Sequence, residues 1–288
     1  MTVALALAAA FGYGVADFLG GFATKRAPTL PVVVLSQITG IVVVVLIAVA
    51  LPSAHPRSAD FAWGAAAGLV GGGGLALFYR ALGRSKMTVI APVTALTTTA
   101  VPVIFGLAAG ERPGTRAMTG ITLAVLAILL VSATVAPSSD GSAWRLRGAI
   151  PTSAIGAALA SGVCFGGFYV IIRLTSPAAG VWPLAASRSA SACLYLVGAI
   201  VARQPLPLRA PRAALPTIIG AGAVDMTANI FYLLATHRGL LTVVATLSSL
   251  YPATTLILAR VVLRERVNAV QSLGLLVAVA AVVLISAG

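Results

Sequence analysis

Ten apolar stretches of about 20 residues fill almost the whole chain, and they decide what it can become. They run over 3–24, 30–51, 61–82, 88–109, 117–136, 149–172, 181–202, 214–236, 241–262 and 267–287. An α-helix needs about 20 residues to cross a hydrocarbon core. Transmembrane strands are shorter and alternate in polarity, so these uniform runs exclude a β-barrel. The breaks between the stretches hold most of the Pro and charged residues, and none is long enough for a soluble domain. The fold expected is all-α and integral to a membrane.

Composition agrees. Of 288 residues, 59% are apolar and 9% charged, against about 25% charged in a typical soluble domain. That excludes an ordinary soluble enzyme, a disordered protein and a secreted disulfide scaffold. The formal net charge of +13 suits anionic lipid as a partner better than nucleic acid in so hydrophobic a chain. Cys164 and Cys193 both lie in apolar runs, with neither disulfide-framework nor metal-ligand spacing. The first apolar run has no basic residue before it and reads as a retained first span.

Small residues crowd the spans. Gly64 and Gly68, Gly106 and Gly110, and Gly162 and Gly166 have the spacing that lets helices approach closely in lipid. The run Gly71 to Gly74 either packs or loosens its helix.

An internal repeat organises the chain. FYRALGRSKMTVIAPVTAL from Phe78 matches FYLLATHRGLLTVVATLSSL from Phe231. Each continues to a Glu-Arg pair, Glu111–Arg112 and Glu265–Arg266, and then to a last helix ending near Ser132 and Ser286. The offset is 153 at the Phe-Tyr pairs and 154 beyond; Pro31 and Pro183 fit 152. Two units result, 1–140 and 141–288. Each holds five helices, an odd number, so the second enters the membrane opposite to the first. Such inverted repeats characterise many secondary transporters.

These features resemble the drug/metabolite transporter superfamily, EamA type. The second half carries the resemblance best, through Pro252, Glu265, Gln271 and Gly274. In the first half, Thr98 takes the place of Pro252. The resemblance implies a ten-helix carrier of small organic metabolites, with no cofactor and no enzymatic activity. Its cavity would be lined by the first, third, fourth, sixth, eighth and ninth helices. Amino acids, related compounds or drugs are the expected cargo, with export the expected direction. The functional unit would be a monomer, with a homodimer as the alternative. An intramembrane enzyme acting on lipid or polyprenyl substrates is the competing reading.

Charge within the spans marks the candidate site. Asp60, Glu111, Asp140 and Glu265 fall in breaks, but Asp17 and Asp225 do not. An Asp at a helix centre costs roughly 2.5–3.5 kcal/mol on an insertion scale, so it needs a role. Either it binds a proton, a cation or a cationic substrate group, or it pairs with Arg or caps a neighbouring backbone break. Asn229 and Tyr232 follow Asp225 at one-turn spacing. Tyr13, Gly14, Gly20 and Gly21 share a face with Asp17. Arg188 snorkels to the interface, pairs with an Asp or anchors an anion. Gln37, Tyr169, Thr94, Thr97 to Thr99 and Thr246, Ser248, Ser249 and Tyr251 either line a path or bond within the bundle. Thr98, Tyr169 and Ser249 are the picks for binding. His237, beside Arg238, reads as a solvated turn residue.

An even helix count puts both termini on one side of the cell membrane. The side stays open. Twelve loop cations lie on the side away from the termini and five on the terminal side, so the positive-inside rule places the termini outside. The family resemblance implies the opposite.

Overall fold

A computed structural model describes residues 1–50, 54–82, 87–132, 152–203, 209–264 and 267–287. Asp140, Glu265, Arg266 and the 140/141 boundary lie outside the described residues. So do the loop cations Arg84, Lys86, Arg145 and Arg147.

The helices are α1 (Thr2–Thr24), α2 (Thr29–Ala50), α3 (Ser58–Leu82), α4 (Met87–Ala108) and α5 (Thr115–Ser132). The second half holds α6 (Thr152–Arg173), α7 (Trp182–Val201), α8 (Leu215–Thr236), α9 (Leu241–Ser248), α10 (Tyr251–Val262) and α11 (Ala269–Ser286). Among the described residues nine spans are long and apolar enough to cross a membrane, with Val93–Ala108 as a shorter apolar helix. Large apolar side chains such as Leu46, Val49, Val261 and Leu276 stand exposed around the bundle, where lipid tails would cover them.

The expected single helix over 241–262 is two. α9 ends at Ser248 and α10 begins at Tyr251, with Pro252 in its first turn. Proline has no N–H to donate and its ring crowds the carbonyl four residues earlier, so the ladder cannot run through. The first-half counterpart, with Thr98 in that place, is the unbroken α4. The break also divides environments: α9 is buried along most of its length, whereas α10 has no fully buried residue.

Packing exchanges the two halves. α1 lies on α8 as α6 lies on α3, and α2 lies on α8 as α7 lies on α3. α4 packs on α6, and α9 and α10 pack on α1. Glycine sits at the matching contacts. A Cβ on Gly14 would fall 2.5 Å from Thr254 Cβ, and one on Gly166 would fall 2.6 Å from Val101 Cβ. A Cβ on Gly68 would stand 2.0 Å from the Ser187 carbonyl oxygen, and one on Gly222 would stand 2.4 Å from that of Ser36. Close backbone approach at small residues is what holds helices together without a hydrophobic drive between them.

Of the three expected glycine pairs, Gly64–Gly68 packs on α7 and Gly162–Gly166 on α4. Gly106–Gly110 differs, because it ends a helix. Gly110 has φ +95°, while Glu111 N–H donates to the Gly106 carbonyl and Gly110 N–H to that of Leu107. This is a Schellman stop, which favours glycine for its positive φ. It aims Glu111 across the halves: the carboxylate accepts the N–H groups of Leu241 at 2.7 Å and Thr242 at 2.9 Å.

Further contacts collect the same end. Thr2 Oγ1 donates to the Arg238 carbonyl, His55 N–H to that of Ala178, and Arg116 to that of Ala287. Asp60, buried in the first turn of α3, accepts the N–H groups of Arg57 and Ser176. Both termini and the connections after α2, α4, α6 and α8 therefore share one end of the bundle. His237 lies there too, half-buried rather than solvated, with Nε2 3.5 Å from Thr175 Oγ1. Burial, and secondarily the Arg173 charge, pull its pKa down to about 4, because a cation is penalised in both settings.

Candidate functional site: a charged cavity between the halves

A cavity of about 310 Å³ lies where α1, α2, α3, α6, α7 and α8 converge, with Thr98 of α4 and Tyr251 of α10 also on its wall. Its wall runs from Tyr13, Tyr169 and Tyr251 near mid-bundle to Gly20, Val32 and Ala221. The latter stand toward the α1–α2 and α7–α8 connections, away from the termini. On the terminal side the floor is aromatic. Tyr169 stacks on Tyr232 with centroids 4.3 Å apart, and Tyr232 is 1% exposed with its hydroxyl donating to the Tyr169 carbonyl.

One wall carries a continuous polar chain across both halves. The Arg188 guanidinium forms an ion pair with Asp225 Oδ2 and also donates to Gln37 Oε1. Gln37 Nε2 donates to Ser191 Oγ at 2.6 Å. Asn229 Nδ2 donates to the Asp225 carbonyl at 2.8 Å and to its carboxylate at 3.3 Å. Tyr13 OH then donates to Asn229 Oδ1 at 3.1 Å. Helical spacing explains the order, since Asp225 and Asn229 are one turn apart on α8, and Arg188 and Ser191 one turn apart on α7. Arg188 thus finds an intramembrane partner and does not snorkel.

Asp17 is different. It is exposed to the cavity it lines, and among the described residues no hydrogen bond or ion pair reaches its carboxylate. Gly20, one turn on, has nothing within 4 Å of a built Cβ, so space is left beside the acid.

Of the residues singled out from sequence, Asp17, Asp225, Arg188, Asn229, Tyr13, Tyr169 and Thr98 line the cavity. Tyr232 and Ser249 do not. Tyr232 lies beneath the floor, and Ser249 is buried with its hydroxyl donating to the Ala245 carbonyl. Gln37, a softer signal in the sequence, is central. Phe165, Phe168 and Tyr195 also line the space. Tyr195 was findable as a polar aromatic within a span, whereas the two phenylalanines carry no such mark.

A profile of the EamA-like transporter family matches residues 1–133 and 152–287. The chain belongs to the EamA-like transporter family. EamA-like proteins are membrane transporters of small molecules rather than enzymes. One solved structure, described only as "Crystal structure of protein", superposes with a TM-score of 0.77. The match covers 98% of this chain and 95% of that one at 15% identity, so it speaks to the EamA-like fold alone. No curated protein matches the chain.

Proposed function

We propose that this EamA-like protein is a secondary active transporter that exports small organic metabolites across the plasma membrane. The two halves, inserted in opposite directions, alternate access to the central cavity. The observation that carries the reading is the cavity's composition: each half contributes polar groups to one space. Asp17 and Gln37 come from the first half and Arg188 and Asp225 from the second. Relative movement of the halves changes that wall. The sequence has no GxxxxGK[ST] loop for ATP phosphates, which leaves a proton or solute gradient as the energy source. Amino acids, related compounds and drugs are the cargo classes to screen, and the monomer is the working unit.

The test is flux. Purified protein in liposomes, under an imposed pH gradient, is screened with labelled amino acids and organic cations. Asp17→Asn and Asp225→Asn are each expected to abolish flux or its pH dependence. If both leave the two quantities unchanged, the carboxylates are not the working groups.

A further inference from the structure

We propose that the cavity selects an organic ammonium ion that also carries a hydrogen-bonding oxygen. This inference rests on the transporter reading and narrows its cargo. It disfavours amino-acid zwitterions and anions.

The first ground is charge. Among the described residues, the charged side chains lining the cavity are Asp17, Arg188 and Asp225. Arg188 is already neutralised by Asp225 and held by Gln37. An anion would have to displace that pair, leaving a carboxylate unpaired in a region of low dielectric, which is costly. Among the described residues Asp17 has no such partner, and it leaves their charges in the cavity one negative in excess. The cargo that balances it is a monocation.

The second ground is the wall. Tyr13, Tyr169, Tyr251 and Phe168 form a contiguous aromatic surface beside the acid. Ring centroids are 6.2 Å apart for Tyr13–Tyr169, 6.4 Å for Tyr13–Tyr251 and 5.7 Å for Phe168–Tyr169, with interplanar angles of 49°, 73° and 57°. Rings tilted around one space present several faces and edges to it. Aromatic faces attract cations, and alkylated ammonium groups suit such cages because they are weakly hydrated and bulky.

The third ground is a hydroxyl with nothing to do. Thr97 and Thr99 donate to the carbonyls of Val93 and Ala95, and Thr94 donates to that of Ala158. Thr98, between them, is 4% exposed and lines the cavity, yet among the described residues its hydroxyl has no partner. A buried polar group left unpaired costs roughly 1–3 kcal/mol. A ligand oxygen would remove that penalty.

The test uses the full-length protein in nanodiscs and isothermal titration with four probes of similar size. Choline has the charge and the hydroxyl, tetramethylammonium only the charge, 3,3-dimethyl-1-butanol only the hydroxyl, and glycine betaine the charge plus a carboxylate. Choline is expected to bind most tightly, roughly tenfold over the neutral alcohol and roughly threefold to tenfold over tetramethylammonium. Asp17→Asn should erase the first ratio and Asp17→Glu restore it. Thr98→Val should erase the second. This ranking in the unaltered protein needs no variant to fold. Equal binding of the neutral alcohol, or tighter binding of betaine, overturns the proposal. Parallel flux of the same probes in liposomes separates the two readings. Betaine moved through an Asp17-dependent path keeps the transporter and discards the ammonium preference. Choline bound but never moved does the reverse.

Discussion

Glu111 holds the amino end of α9 from the opposite half of the chain, through its two carboxylate oxygens and the N–H groups of Leu241 and Thr242. A carboxylate there satisfies helix donors that have no intrahelical partner and meets the positive end of the helix dipole. Glu111→Ala should lower stability by about 1.5–3 kcal/mol, the range for hydrogen bonds to charged groups. Glu111→Gln should lose less. Thermal melts of the detergent-solubilised protein measure both.

The ion pair of Arg188 and Asp225 should behave as a coupled unit. Removing one partner from a buried pair costs about 3–5 kcal/mol. This pair borders a cavity, with side chains 19% and 33% exposed, so about 1–3 kcal/mol is expected for Arg188→Met or Asp225→Asn. The double variant should lose less than the sum. An additive double-mutant cycle would show that the pair stabilises nothing.

Two glycines of α3 should respond in opposite ways to alanine. Gly68 has a backbone oxygen where the new methyl must go, whereas Gly73 has nothing within 4 Å. Gly68→Ala should force α3 and α7 apart and cost about 1–3 kcal/mol. Gly73→Ala should be neutral, or stabilising by up to about 1 kcal/mol through helix propensity. Melting temperatures of the two variants, compared side by side, check the contrast.

His237 gives the terminal end a pH dependence of known sign. The folded protein holds it at about 4, while an unfolded chain holds histidine near 6.5. As pH falls between those values the unfolded state takes up the proton first, so stability falls over that window. His237→Gln should flatten this part of the stability–pH curve. Denaturation midpoints at pH 7, 6, 5 and 4 are the measurement.

Sidedness is testable with single cysteines. His55→Cys, on the connection that meets Ala178, should label from the same side as a tag on either terminus. Lys25→Cys, at the end of α1, should label from the other. Labelling of both from one side would break the helix count.

Apolar length told where nearly every helix lies, because a membrane leaves a chain few alternatives. The α9–α10 break was present in the sequence as Pro252, yet proline within a span reads equally as a kink or a stop. Asp17, Arg188 and Asp225 stood out because charge is expensive in lipid. Their division of labour did not. Which acid takes the arginine depends on helix rotation and on glycine contacts such as Gly68 with Ser187 and Gly222 with Ser36. No periodicity encodes those. Thr98 shows the same limit: within a run of threonines, only packing decides which hydroxyl is left over.

The exchange of the two halves has a consequence in arithmetic. Gln37 follows Ser36, and Arg188 follows Ser187, at contacts that correspond. Two identical five-helix chains around a twofold axis would line their shared cavity with every charge in duplicate, so its total could only be even. Among the described residues, the charged side chains lining this cavity, Asp17, Arg188 and Asp225, add to an odd number. Such a wall requires halves free to diverge, which a single continuous polypeptide provides and a symmetric pair does not.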